Sequence, residues 1–159
     1  MILRAFVFEP NDIVREYLLR VLNQRGYECF AFERAGICAM EHEAGCSAPP
    51  TRMCADIIIA DVNRSGFPSF EILKHAVQRN CNVPNIALMS GTWLEEHRSY
   101  VAKRDYKVLN KPFSTTTLHA WLDECEKRID RKRELFNEFW ADYRGANRSE
   151  DLARIWPLS

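Results

Sequence analysis

The sequence has no net charge, no long apolar run and no closely spaced pair of cysteines. Lysine plus arginine and aspartate plus glutamate each number 22 among the 159 residues, so the formal net charge is zero. This balance gives no general reason to expect binding to nucleic acid or to an anionic membrane. No apolar stretch approaches the roughly 20 residues that a helix needs to cross a bilayer. The amino-terminal residues lack the layout of a signal peptide, so we expect a cytoplasmic protein.

The cysteines and histidines are scattered along the chain. Six cysteines and four histidines contain no C-x-x-C motif, whereas a structural zinc site needs paired ligands at short spacing. We therefore expect free thiols in a reducing compartment. The 47% of hydrophobic residues is enough for a core, and the length suits one domain with an appendage.

Apolar runs alternate with helical patterns along the chain. The central run, residues 55–63 (A-D-I-I-I-A-D-V-N), is β-branched and suits a strand that is buried on both faces of a parallel sheet. Other strands are predicted at residues 3–8, 27–32, 85–89 and 107–109, and helices at about 12–25, 35–44, 68–79, 94–103 and 115–129. Asn11 or Asp12 would cap the first helix and Ser114 the last. Five strands alternating with helices predict a doubly wound five-stranded parallel sheet with helices on both faces.

Four of the predicted strands end in a polar residue: Glu9, Asp61, Ser90 and Lys111. Each has an ordinary structural explanation by itself, as a cap, a turn residue or a solvated side chain. In a parallel sheet, however, all four would project from one edge. A carboxylate nucleophile beside an ammonium and a hydroxyl suits phosphoryl transfer to Asp61, and Glu9 with Asp61 could hold Mg²⁺.

Several segments resemble the receiver domain of two-component response regulators. They are F-V-F-E-P-N-D-I-V-R-E-Y-L, D-I-I-I-A-D-V-N, I-A-L-M-S-G and V-L-N-K-P-F, and the resemblance covers about residues 2–129. It implies a flavodoxin-like fold and phosphorylation of Asp61 by a histidine kinase or a phosphotransfer protein. It also implies a Mg²⁺ site that includes the main-chain carbonyl of Asn63, a cis Lys111–Pro112 peptide, and Ser90 as the switch hydroxyl.

Two positions depart from the receiver pattern. Pro10 stands where the resemblance would place a second acid, commonly the direct metal ligand, so we expect weak Mg²⁺ binding. Asp12 is the nearest acid that could replace it. Val108 stands where an aromatic switch residue is usual, and Tyr106 could substitute only if the strand register slips.

The segment after residue 129 predicts a helical extension. No glycine or proline interrupts residues 130–144, so the last helix is expected to continue to about Arg144. We therefore divide the chain into a receiver-like domain, 1–129, and an extension, 130–159. An aromatic stripe formed by Phe136, Phe139, Trp140 and Tyr143 favours a homodimer through this helix over folding back. Interleaved acids make the basic residues at 127–133 a solvated helix face rather than a nucleic-acid site.

The sequence thus predicts a response-regulator receiver, itself not an enzyme, that signals through contacts with an unknown downstream protein. One alternative is a pseudo-receiver adaptor that works without phosphorylation, and the missing second acid favours it. Intact Asp61, Ser90 and Lys111 count against it. A small phosphohydrolase is the other alternative, but Val62-Asn63 supplies no general acid beside Asp61.

Overall fold

The sheet of the computed structural model contains five parallel strands in the order β2-β1-β4-β5-β6. The structure describes residues 1–32, 48–61, 82–92 and 95–137. The sheet strands are β1 (Leu3–Phe8), β2 (Tyr27–Phe32), β4 (Ile57–Asp61), β5 (Asn85–Ser90) and β6 (Lys107–Asn110). Two further short strands, β3 (Arg52–Met53) and β7 (Glu134–Leu135), form a separate parallel pair. The order places the first strand inside the sheet, as in flavodoxin-like folds, and confirms the predicted fold class.

Three described helices connect these strands: α1 (Asp12–Gln24), α2 (Glu95–Ala102) and α3 (Thr115–Arg128). Asn11, and not Asp12, caps α1, because its Oδ1 accepts a hydrogen bond from the Val14 N–H at 3.1 Å. Ser114 caps α3 as predicted. The helices predicted at 35–44 and 68–79 lie outside the described residues. Within the described part of the chain, no helix is long and apolar enough to cross a membrane.

The core has two halves, one on each face of the sheet, because successive strand residues point in opposite directions. Ala5 and Val7 of β1 face a cluster with the buried sides of α1 and α3. Phe6 and Phe8 face the opposite cluster, which includes Val101 of α2. Helices therefore cover both faces, and the alternation in β1 decides which side chains meet each helix layer.

The last helix ends earlier than the sequence predicts. Its final residue is Arg128, and Ile129 has extended dihedral angles, φ −71° and ψ 120°. The chain then turns, with the Arg133 N–H bonded to the Asp130 carbonyl at 3.2 Å, and enters β7. The predicted continuation to Arg144 is therefore wrong, because contacts with the sheet outweigh local helix propensity. Of the aromatic stripe, Phe136 is buried in the core half opposite α3. Its other members, Phe139, Trp140 and Tyr143, lie outside the described residues.

Candidate functional site

The four candidate side chains lie at the carboxyl edge of neighbouring strands. Glu9 follows β1, Asp61 ends β4, Ser90 ends β5, and Lys111 follows β6. The strand register pairs Phe8 with Ala60, Asp61 with Met89, and Ser90 with Asn110, so the four strand ends are level. The parallel sheet thus places two carboxylates, a hydroxyl and an ammonium along one edge.

Lys111 joins the two carboxylates. Its Nζ lies 2.7 Å from Glu9 Oε2 and 2.7 Å from Asp61 Oδ1. The Glu9 and Asp61 side chains are 1% and 8% exposed, whereas the Lys111 side chain is 23% exposed. One ammonium therefore pairs with both buried acids from the more accessible side of the site, where an incoming anion would meet it.

Burial and charge shift the ionisation of this group of side chains. Burial is the main cause that raises the pKa of Glu9, and the Asp61 charge adds to it, while hydrogen bonds from Lys111 and Asn11 oppose it. Burial by itself lowers the pKa of Lys111. Its hydrogen bonds and charge interactions with Asp61 and Glu9 outweigh that effect and raise the Lys111 pKa overall. Lys111 therefore remains a cation at neutral pH.

Glu9 is also held by the chain that follows it. Its Oε1 accepts a hydrogen bond from the Asn11 N–H at 3.0 Å, and its backbone carbonyl accepts one from Arg15 Nη1 at 2.9 Å. Because both Glu9 carboxylate oxygens already accept protein donors, its orientation is fixed before any ligand arrives. Arg15 is not among the residues predicted from the sequence, and the available signal was a basic residue in the first turns of α1, six positions after Glu9.

The Ser90 hydroxyl is engaged in a local turn. Its Oγ donates to the Thr92 carbonyl at 2.7 Å and accepts from the Thr92 N–H at 3.1 Å. The Ser90 carbonyl accepts from the Lys111 N–H at 2.8 Å, which ties the ends of β5 and β6 together. Ser90 therefore lies beside Lys111 in the backbone, but its hydroxyl must leave Thr92 before it can donate to a group on Asp61.

Two acids of the described chain offer oxygen donors for a hard cation, Glu9 and Asp61. Asp12 does not join them: its carboxylate is exposed and pairs with Arg15. Among the described residues, no three His, Cys, Asp or Glu side chains form a group that could hold a metal. Asn63, the third predicted ligand, lies outside those residues. The donor chemistry fits Mg²⁺, which accepts few carboxylates and several waters, with one protein ligand fewer at Pro10.

The expected switch position also has an unusual side chain. Val108 lies in β6 opposite Leu88 and is 36% exposed. It lines a groove of about 380 Å³ together with Arg98, Val101, Ala102 and Asn110. Tyr106 precedes β6 and is half-buried, with its ring 6.3 Å from that of Tyr100. An aliphatic residue thus occupies this position of the strand.

Comparisons by sequence find no relative of this chain, whereas comparisons by structure find receiver domains. No family model matches the chain, and neither does any curated protein. The receiver domain of a putative LuxO repressor protein from Vibrio parahaemolyticus has a TM-score of 0.61 and 14% identity, covering 80% of this chain and 92% of its own. The Vibrio cholerae chemotaxis protein CheY4 has a TM-score of 0.58 and 20% identity, covering 79% and 99%. This chain has the receiver fold.

A third receiver-fold structure is the beryllofluoride-activated DrrB receiver domain. Its TM-score is 0.60 with 16% identity, over 80% of this chain and 100% of that domain. At these identities the likeness establishes the fold, and the chemistry depends on this chain's own residues. One detail implied by the receiver resemblance is confirmed directly: the Lys111–Pro112 peptide is cis.

Proposed function

We propose that this chain is a response-regulator receiver that accepts a phosphoryl group on Asp61. The observation that carries the proposal is the 2.7 Å contact between Lys111 Nζ and Asp61 Oδ1 at the carboxyl edge of the sheet. The donor would be a phosphohistidine of a histidine kinase or phosphotransfer protein. The output would be a changed contact with a downstream protein, so the domain acts in signalling rather than as an enzyme.

The chemistry follows from the charges at the site. An Asp61 carboxylate oxygen attacks phosphorus, the P–N bond of the donor breaks, and the released imidazole takes a proton. Negative charge spreads over the three oxygens of the transferred group. Lys111 already lies against Asp61 and can turn from the carboxylates to one of those oxygens. Ser90 can donate to another once it leaves Thr92.

Magnesium would be held by Glu9, Asp61 and the Asn63 carbonyl, with water at the position that Pro10 leaves without an acid. When bound, it would neutralise charge on the phosphoryl oxygens. Lys111 bridges the two carboxylates in the described arrangement, so metal and lysine compete for the same oxygens. We therefore propose a magnesium-dependent reaction with weak metal binding.

The test is phosphorylation by a small phosphodonor, followed by intact mass. Incubation with acetyl phosphate and Mg²⁺ should add one phosphoryl group to the wild type and none to Asp61→Asn. Asp12→Asn is the matched control, because Asp12 is exposed and pairs with Arg15; it should be modified like the wild type. Equal modification of Asp61→Asn and the wild type would exclude Asp61 as the acceptor.

A phosphorylation-independent adaptor is the second candidate, and Pro10 is the observation that favours it. In that case the wild type would stay unmodified with acetyl phosphate and with a panel of histidine kinases. Binding of a downstream partner would then be the same for wild type and Asp61→Asn. For the phosphorylated receiver, partner affinity should instead differ between the modified and unmodified wild type.

A further inference from the structure

Arg133 has a largely buried side chain, unlike the basic residues that precede it in the chain. Its side chain is only 8% exposed in the ion pair that it forms, whereas Arg131 and Lys132 are exposed. It belongs to a segment that the sequence pattern predicts to be a solvated helix face. The structure turns it inward, across the amino-terminal edge of the main sheet.

The partner of Arg133 is Asp56, the residue immediately before β4. The pairing is bidentate, with Nε 2.5 Å from Oδ1 and Nη2 2.6 Å from Oδ2. The Asp56 side chain is fully buried and also accepts the Arg4 N–H at 2.8 Å. Arg133 Nη2 reaches the Ile2 carbonyl at 2.6 Å. The guanidinium therefore fills the end of the sheet and satisfies a buried carboxylate.

The residues after Arg133 are bound to the same edge. The short strand β7 pairs with β3, and the Phe136 N–H donates to the Met53 carbonyl at 2.8 Å. The Phe136 side chain is buried in the core half that contains Phe6. Arg4 completes the attachment, because its guanidinium donates to the Phe136 carbonyl at 3.1 Å and to Asn137 Oδ1 at 2.8 Å.

We infer that residues 130–137 form a strap that is locked to the receiver by the Arg133–Asp56 ion pair. The lock sits at the amino-terminal end of β4, the strand whose other end carries Asp61. It holds residues 130–137 at the pole of the sheet opposite the candidate phosphorylation site. While the lock holds, residues 130–137 cannot continue α3 as a helix.

The physical reason for a lock is the asymmetry of buried ion pairs. Removing one partner leaves the other charge buried without compensation, which costs far more than removing both. Neutral replacements Arg133→Gln and Asp56→Asn should each open the strap, whereas the double variant should recover part of the loss. Lys132→Gln is the matched control, since it removes an adjacent exposed charge.

The experiment is native-state hydrogen exchange of the full chain, with no phosphodonor present. Peptides covering residues 134–137 should exchange at least about tenfold faster in Arg133→Gln and Asp56→Asn, while α1 keeps its protection. Lys132→Gln should exchange like the wild type. Wild-type protection of the strap in both single variants would overturn the inference.

Thermal unfolding covers the case in which a single variant does not fold. The lock predicts that the double variant Asp56→Asn/Arg133→Gln melts at a higher temperature than the less stable single variant. A double variant whose loss equals the sum of the two single losses would show that the residues act independently, and the lock would be rejected. Neither measurement depends on whether Asp61 is phosphorylated.

Discussion

Replacing Lys111 by methionine tests the electrostatic design of the candidate site. The substitution keeps an unbranched side chain of similar length but removes the ammonium that lies 2.7 Å from both Glu9 and Asp61. Two buried carboxylates would then face each other without a cation. Breaking a buried ion pair typically costs about 3–5 kcal/mol. Because the Lys111 side chain is 23% exposed, water recovers part of this, and we expect a loss of about 2–4 kcal/mol at neutral pH.

The loss of stability in Lys111→Met should depend on pH, and the direction of that dependence follows from the pKa shifts of Glu9 and Lys111. The folded-state pKa of Glu9 is raised above its usual 4.5, so its contribution to stability falls as the pH rises from about 4.5 through the folded value. Without Lys111 that pKa rises further, so a lower pH favours the protonated form of Glu9, which removes one unpaired charge. The deficit of the variant should therefore be smaller at about pH 5 than at about pH 7.5.

At alkaline pH the wild type should lose its advantage. The folded-state pKa of Lys111 is raised above 10.5, so its stabilising contribution is complete below about 10.5 and disappears as the pH rises through the folded value. Lys111→Met lacks this titration. The two proteins should therefore converge in stability at the alkaline end of the range.

The assay is urea unfolding of both proteins in EDTA, followed by far-ultraviolet circular dichroism at about pH 5 and about pH 7.5. Lys127→Met is the matched control, because Lys127 and its partner Glu124 are 70% and 64% exposed. That control should lose about 0.5 kcal/mol or less at either pH. If Lys111→Met were as stable as the wild type at neutral pH, or equally impaired at both pH values, the electrostatic reasoning would be refuted.

Two further predictions concern the metal and the extension. Pro10→Asp should tighten Mg²⁺ binding in isothermal titration, because it restores an acid beside Glu9 and Asp61; unchanged affinity would mean that water or another group already fills the position. The predicted homodimer was based on a helix continuous from α3 into the extension, and that helix ends at Arg128. Sedimentation equilibrium should therefore compare the full chain with a chain ending at Asn137, which keeps the strap. A full-length monomer at high micromolar concentration would exclude the dimer.

Local signals in the sequence predicted most of the described elements. Apolar runs predicted the strands of the main sheet. The clearest are β1, β4 and β5, which are buried on both faces, and β1 begins and ends where its run does. Ser114 caps α3 because its hydroxyl can accept the Thr117 N–H three residues later, which is a purely local contact. Gly26, at φ +84°, ends α1 for an equally local reason.

The grouping of Glu9, Asp61, Ser90 and Lys111 was predictable because parallel strands bring their carboxyl ends to one edge. The contacts within the group were not. That Lys111 bridges both acids depends on side-chain positions across three strands. Asp12 is an example of a contact that the sequence did not predict. Its position close to Glu9 allowed a role as a metal ligand, but its carboxylate pairs with Arg15 on the same helix.

The chain after Ile129 shows where tertiary structure overrode the local pattern. Residues 130–144 contain no glycine or proline, and helix propensity alone predicts continuation. Arg133 instead meets the buried Asp56, and Phe136 enters the core, so the segment leaves the helix. Sequence by itself determined the five strands of the main sheet and the cap of α3, because those depend on neighbours along the chain. Tertiary structure decided the end of α3 and the partner of Arg133, because those contacts join residues that lie 77 positions apart.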